Sequence, residues 1–551
     1  MADQPTPRAN AEDRIARVVT TPWFRKTAPK ILPPLHRAMK RLTGGRFVPG
    51  AGLVLTTTGA KTGARRDTPL EAVPCGDGTW VIVGSNFAQD HHPAWTTNLI
   101  AHPDTEILIR GRTVAVRAEL LSGRARDEAW EQALAHFGGW NAYTELTDRE
   151  FRIFRLTPNT ASCGRCPNCG GAGLRSFYRV ASVPTNSVLL LESEAEARSF
   201  EFGDIDLGFC ATCGFASNTA FDPTRIEHSD RYEPTQAFSP TFNEYHRRLA
   251  AELIEHHDLR DKLVVEIGCG NGEFIAMLCE MGPNRGIGYD PSHNPDRGPD
   301  PMPAGLEFVV DFYSEAYRDA GGDFVVCKMT LEHVHQTGEF LAMVRRSISD
   351  DATVFFQVPN ASYVFDGLAF WDVHYEHCSY FSAGSLARVF RRNGFAVEEL
   401  ETTYDDQHLT VVATPAATQT DSSLALEHDV EATARLVARF ERDAAATVHR
   451  WKQRFADWSA AGKEVVLWGG GSKAVSFVTT LGLTDEILGA VDINPRKVGY
   501  FLAGSGHRIL APTELTAIEP DVVVVMNAVY EQEIEAQCHG DLGIDPEIVC
   551  L

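Results

Sequence analysis

The chain of 551 residues lacks any apolar run approaching the ~20 residues a membrane-spanning helix requires. Its first ten residues are polar and contain proline, so an apolar signal-peptide core is missing too. Disulfide-style cysteine usage is also absent. Twelve cysteines are spread over the whole length, several of them in C-x-x-C pairs, a spacing that points to metal and to a reducing, cytoplasmic setting. Cationic surplus is the last absence. The net charge is −23, with 21 Lys+Arg against 16 Asp+Glu over residues 1–160 and 30 against 58 over the rest. So acidic a body repels a phosphate backbone, which argues against a nucleic-acid partner. The change near residue 160 marks a domain boundary, and the length suits roughly three to four domains.

What is present centres on Val264-Val-Glu266-Ile-Gly268-Cys-Gly270-Asn-Gly272, followed by the helical pattern Glu273–Cys279. This predicts a buried strand, a tight turn and a helix whose N-terminus faces a ligand. Glycine is needed there because a Cβ would hold the backbone away from that ligand. Gly288-Tyr-Asp290 ends the next strand with a carboxylate suited to two ribose hydroxyls. Asp311 follows a third strand, near where an adenine would lie. Asp323–His333 reads as the fourth strand with its active-site loop. Together these residues resemble the core of the class I S-adenosylmethionine-dependent methyltransferases, which makes Glu266, the three glycines, Asp290 and Asp311 candidate cofactor contacts. A nicotinamide-binding turn is the other reading, but the G-x-x-G ending of that fingerprint is missing.

Residues 1–46 are basic and interrupted by Pro33-Pro34. They read as a solvated helix on its own domain or as a membrane-surface segment. From Gly52 short β-branched strands alternate with turns, and a helix follows from Ala125 to Phe137. This predicts a small barrel of about six strands. Its turn Thr57-Thr58-Gly59-Ala-Lys61-Thr-Gly63-Ala-Arg-Arg66 concentrates hydroxyls, glycines and cations, which makes an anion cradle. With Ser85-Asn86 and His92-Pro-Ala-Trp95 further on, residues 45–157 resemble the deazaflavin-dependent nitroreductase family of split β-barrels. The resemblance implies that Lys61 and Arg66 hold the coenzyme's phosphate and carboxylate groups. Thr57, Thr58, Gly59, Gly63, Ser85 and Asn86 would line its tail and ring, and Trp95 would pack behind. No substrate-side acid stands out, with Tyr143 a loose candidate.

A turn-rich linker, Thr157–Ser162, leads to Cys163-x-x-Cys166-x-x-Cys169-Gly170 and then Cys210-x-x-Cys213-Gly214. Two such knuckles present four thiolates tetrahedrally to a structural zinc. Cys166 and Cys169 pair best with Cys210 and Cys213, because glycine follows both Cys169 and Cys213. Cys163 is then spare, although a shift by one pair stays open. The aromatics Tyr232 and Phe238 in the next linker either cover a pocket or pack that linker.

After the fifth strand, Val354–Pro359, comes the loop Phe370-Trp-Asp-Val-His374-Tyr375-Glu376-His377-Cys-Ser-Tyr380-Phe-Ser382. Ligands bind beyond the carboxyl ends of strands in such sheets. A near-neutral imidazole can take a proton from carbon, and a neighbouring carboxylate can raise its basicity, which singles out Glu376-His377. This loop and the knuckles resemble the sugar-nucleotide C-methyltransferases over residues 163–551. The resemblance implies that His377 removes a proton beside a ketone and that His333 polarises the forming oxyanion. Tyr232, His374, Tyr375 and Tyr380 are expected on the substrate side. His374 stands where that family has Tyr, and Met329 where it has Asn, so a different acceptor is expected.

After a polar linker, Pro415–Ser423, and a long helix to Ala461, Trp468-Gly-Gly470-Gly-Ser472-Lys473 repeats the strand–glycine–helix device. Gly470, Ser472 and Lys473 suit the phosphate of a nucleotide-linked substrate. The expected domains are a barrel (1–160), a zinc module (161–235), a class I α/β core (236–415) and a Rossmann-like α/β domain (416–551). The expected whole is an S-adenosylmethionine-dependent C-methyltransferase of a small molecule fused to a deazaflavin-binding barrel. The rivals are a nucleic-acid methyltransferase docking through the zinc module and a non-catalytic scaffold.

Overall fold

The computed structural model describes residues 21, 52–75, 79–109, 112–137, 139–144, 146–147, 149–158, 163–416 and 423–551. The basic segment 1–46, apart from Thr21, and the end of the first linker lie outside them. So does most of the polar linker 415–423. The chain divides into two compact units, Met1–Thr160 and Ala161–Leu551. Among the described residues no helix is long and apolar enough to cross a membrane.

In the first unit seven strands form one antiparallel sheet: β1 (Leu53–Thr58), β2 (Arg65–Leu70), β3 (Val73–Pro74), β4 (Trp80–Val83), β5 (Asp104–Ile109), β6 (Arg112–Leu120) and β7 (Ile153–Pro158). Their order is β2-β1-β5-β6-β7-β4-β3, one strand more than the alternation predicts. β2 falls where the sequence reads as the end of the anion-cradle turn, and β3 is two residues long, so neither carries a periodicity to read. The helix Gly123–His136 buries Ala129 and Ala133 against one side. Trp95 and Phe154 meet in the core on the other, 5.8 Å apart.

The second unit begins with β8 (Cys163–Arg165), β9 (Ala172–Pro184), β10 (Phe202–Phe209) and β11 (Ala216–Asn218), an antiparallel sheet carrying the two knuckles. The class I core follows as β12 (Leu263–Ile267), β13 (Arg285–Tyr289), β14 (Leu306–Val309), β15 (Phe324–Lys328) and β16 (Thr353–Pro359), all parallel. The two-residue β17 (Ser379–Tyr380) leaves this core and pairs with β11 of the knuckle sheet. Strands β18 (Phe395–Thr403) and β19 (His408–Pro415) return antiparallel and complete the order β14-β13-β12-β15-β16-β19-β18. Valine-rich parallel strands such as Phe324–Lys328, buried at every position, need helices on both faces. Helix Val430–Ala460 leads to five parallel strands: β20 (Val465–Trp468), β21 (Ala490–Val491), β22 (Ile509–Leu510), β23 (Val522–Val525) and β24 (Glu547–Cys550). Their order, β22-β21-β20-β23-β24, repeats the centre-outward winding of the core sheet.

Candidate active site

The turn between β12 and helix Glu273–Met281 is built by left-handed glycines: Gly268, Gly270 and Gly272 have φ of 72°, 56° and 87°. A Cβ at Gly272 would overlap the Phe308 ring, and one at Gly268 would overlap Thr330, whereas Gly270 faces open space. The carboxylate of Asp290 accepts from Gly270 N–H at 2.9 Å and from Ser292 N–H at 2.7 Å, which locks the turn and leaves lone pairs for a ligand. Glu266 lies beneath and accepts from Ile275 N–H at 3.1 Å, satisfying an otherwise orphan donor of the helix. Burial pushes its carboxyl up to about 8, against the pull of Lys328. Asp311 is exposed and accepts from the Tyr317 hydroxyl at 2.6 Å, a bond that holds its pKa below the ordinary carboxylate value. The turn therefore presents an open cradle, flanking carboxylates and a helix N-terminus, which fits S-adenosylmethionine.

A cavity of about 350 Å³ opens between the class I core and the C-terminal domain. His333, on the loop after β15, and His374 and His377, on the loop after β16, all line it. The His377 ring stands 4.8 Å from both other rings, edge to face. Burial, reinforced by those two imidazoles, drives His377 well below the usual histidine range, which favours the neutral ring. His333 and His374 are likewise pushed down to about 4 by burial. Tyr232 and Phe238 line the same cavity, so this linker covers a pocket. Tyr380 lines it too, its hydroxyl accepting from His374 N–H at 3.2 Å.

Several side chains depart from their expected roles. Glu376 does not support His377: its buried carboxylate accepts from the Ser187 N–H at 3.1 Å and from the Ser187 hydroxyl, which lies 2.7 Å from that of Ser472. It thus ties the knuckle segment, the catalytic loop and the C-terminal turn together. The carboxylate beside the imidazoles is Glu332, 1% exposed, with one donor atom from each of Glu332, His333 and His377 within 4.8 Å of the others. It directly precedes a histidine that the sequence singles out, yet belongs to no motif of its own. Tyr375 turns into the core, where its hydroxyl accepts from Asp222 N–H at 2.9 Å and its ring lies over Gly203. The loop is held laterally: β17 is pinned to β11, with Asn218 N–H donating to the Cys378 carbonyl at 2.9 Å.

At the second glycine turn, Ser472 and Lys473 line the cavity, and Lys473 pairs with Asp372 at 3.0 Å. Gly470 does not reach it. Its N–H donates to Asp492 at 3.1 Å, the same device as Gly270 with Asp290. Lys497, unremarked in the sequence, also pairs with Asp492 and lines the cavity.

Four thiols converge beside this region: Cys166 and Cys213 sulfurs are 3.8 Å apart, and Cys169 and Cys210 sulfurs 3.7 Å. A tetrahedron with metal–sulfur bonds of about 2.3 Å has edges of about 3.8 Å, so the set fits zinc. The Cys163 side chain lies outside the described residues. In the first unit, Lys61 and Gly63 sit on an exposed turn and Arg66 at the exposed start of β2, and a Cβ at Gly63 would meet nothing, which suits an anionic coenzyme. Two expected contacts are otherwise engaged. The Thr57 hydroxyl accepts from Asn98 at 3.0 Å, and Asn86 donates to the His91 carbonyl at 2.9 Å; Trp95, expected to pack behind, lies in the core. Thr58 and Ser85 are half-buried and Gly59 is buried, its carbonyl closing the turn onto Gly63 N–H at 2.8 Å. Tyr143 is buried in a second core cluster.

The known proteins that resemble this chain divide at the same places. Residues 241–400 match a methyltransferase-domain family, and residues 406–543 a C-methyltransferase C-terminal domain. Residues 34–158 match a family of quinone reductases dependent on the reduced form of the deazaflavin coenzyme F420. C-methyltransferase NovU of Streptomyces niveus is 28% identical over 397 residues, 67% of this chain and 90% of that protein. A quinone reductase of Mycobacterium tuberculosis, dependent on the same reduced coenzyme, is 34% identical over 135 residues, 24% of this chain and 90% of that protein. Among solved structures, an N1-methyltransferase of Burkholderia thailandensis aligns at 19% identity and a TM-score of 0.26, covering 32% of this chain and 80% of its own. Residues 34–158 belong to the family of quinone reductases dependent on reduced coenzyme F420, and the chain as a whole is a fusion of that domain with an S-adenosylmethionine-dependent C-methyltransferase.

Proposed function

We propose that the methyltransferase half adds a methyl group to the carbon beside a ketone of a small acceptor, carried on a nucleotide, in the cytoplasm. The observation that carries this reading is the neutral His377 ring beside His333, in a cavity that also holds Lys473 and Lys497. His377 accepts the α-proton, and His333 steadies the enolate oxygen as charge builds there. S-adenosylmethionine, when bound in the glycine cradle, supplies the electrophilic methyl. Alignment and a dry site account for most of the rest of such a transfer. Lys473 and Lys497 give the cavity cations for phosphate, each offset by an aspartate that would exchange partners on binding. The four thiols hold a structural zinc that braces the β11–β17 pairing and so the loop bearing His377. The barrel uses the reduced deazaflavin coenzyme to reduce the acceptor before or after methylation.

The test uses radiolabelled S-adenosylmethionine and host extract, separated into small-molecule, RNA and protein fractions. Label in the small molecules that falls about 100-fold or more in His377→Ala, as loss of general-base catalysis predicts, supports the reading. Label in RNA, or equal label from both proteins, overturns it.

A further inference from the structure

Glu332, in the catalytic cluster, is a buried acid without a hydrogen-bond partner for its side chain. It is 1% exposed, and neither carboxylate oxygen has a hydrogen-bond partner. Buried carboxylates are ordinarily paired, hydrogen-bonded or metal-bound. Glu332 has no cation bonded to it, but His333 and His377 each bring a ring nitrogen within 4.8 Å. The His333 ring also bonds to the Glu376 backbone. Such a second contact fixes ring orientation in metal-ligating histidines. Glu332 and both imidazoles line the cavity, so the cluster opens toward substrate space.

We propose that Glu332, His333 and His377 form a site for a divalent transition-metal ion, separate from the four-thiol cluster. Two imidazoles and one carboxylate are the donors that zinc, cobalt, nickel and ferrous iron accept, and they leave coordination positions open to the cavity. The four thiols select a different environment, all sulfur and closed. The functional consequence rests on the reading of His377 as the base. A nitrogen lone pair given to a cation cannot take a proton, so cation and methyl acceptor compete for the site.

The experiment is a Co(II) titration of the full chain with its four-thiol site kept filled with zinc, followed by its absorption spectrum. Cobalt held by imidazole and carboxylate shows weak visible bands without the intense thiolate-to-cobalt absorption of a sulfur site. The expected result is such weak bands in the wild type and their loss in Glu332→Gln and in His333→Ala. Circular dichroism would show both variants folded. Absence of the bands in the wild type, or their persistence in both variants, overturns the metal site. Bands in the wild type without any slowing of methyl transfer leave the metal site standing and remove His377 from the role of base. Binding and catalysis are read separately, so the two failures are distinguishable.

Discussion

Glu266 shows how burial turns one side chain into a pH-dependent element. Its carboxyl is raised to about 8 by desolvation, while in the unfolded chain it titrates near the ordinary value of 4.5. Between those values the folded protein keeps a proton that the unfolded chain releases. Stability therefore falls as pH rises through that window. Gln at this position holds no titratable proton and can still accept from Ile275 N–H. The prediction is that the melting temperature of Glu266→Gln gains on that of the wild type as pH goes from 5 to 8. A gap that is flat, or that closes, would show that Glu266 is already ionised in the fold. Residues of this kind were legible in the sequence because strand, turn and helix lie within a dozen positions. Glu376 was not. Its partner Ser187 is 189 residues away, and no local pattern could say that the carboxylate points there rather than at the adjacent His377. Glu332 was hidden differently, since an acid beside a histidine on a loop gives no sign of being buried.

The knuckle sheet is the element on which the catalytic loop depends. Strand β11 follows Cys213 within three residues and pairs with Ser379–Tyr380, two residues after His377. Arg388 donates to the Cys213 carbonyl at 2.9 Å, and Asn168 donates to that of Ser385 at 3.0 Å, so the helix after the loop is held by the same knuckles. The paired C-x-x-C-G repeats were plain in the sequence. Their link to His377 was not, because a two-residue strand leaves no periodic trace. Cys210→Ser should lose the ion of the four-thiol site, measured by elemental analysis as one zinc per chain fewer than in the wild type. It should also lower methyl transfer while S-adenosylmethionine affinity, set by the distant turn at Gly268–Gly272, changes little. Loss of zinc with full activity would separate the knuckles from catalysis. Loss of cofactor binding would mean that the damage is global.

At the scale of the whole molecule, the two units differ in charge as well as in fold. The first carries a cationic excess, and the second a deep anionic one. Among the described residues, the cavity that holds the imidazoles is lined by residues between Val188 and Ile534, with hydrophobic clusters of the second unit beneath it. The described lining of that cavity thus comes from the second unit. The exposed Lys61 and Arg66 of the first unit fit an anionic coenzyme that the acidic second unit would repel. Deleting residues 1–160 should therefore leave methylation of the acceptor running at a comparable rate. The same deletion should abolish binding of the deazaflavin coenzyme, followed by its fluorescence, and should leave the methylated product in a different redox state by mass. If the truncated and full-length proteins give the same product in the same redox state, the barrel does not act on this acceptor, and the fusion joins two chemistries with separate substrates.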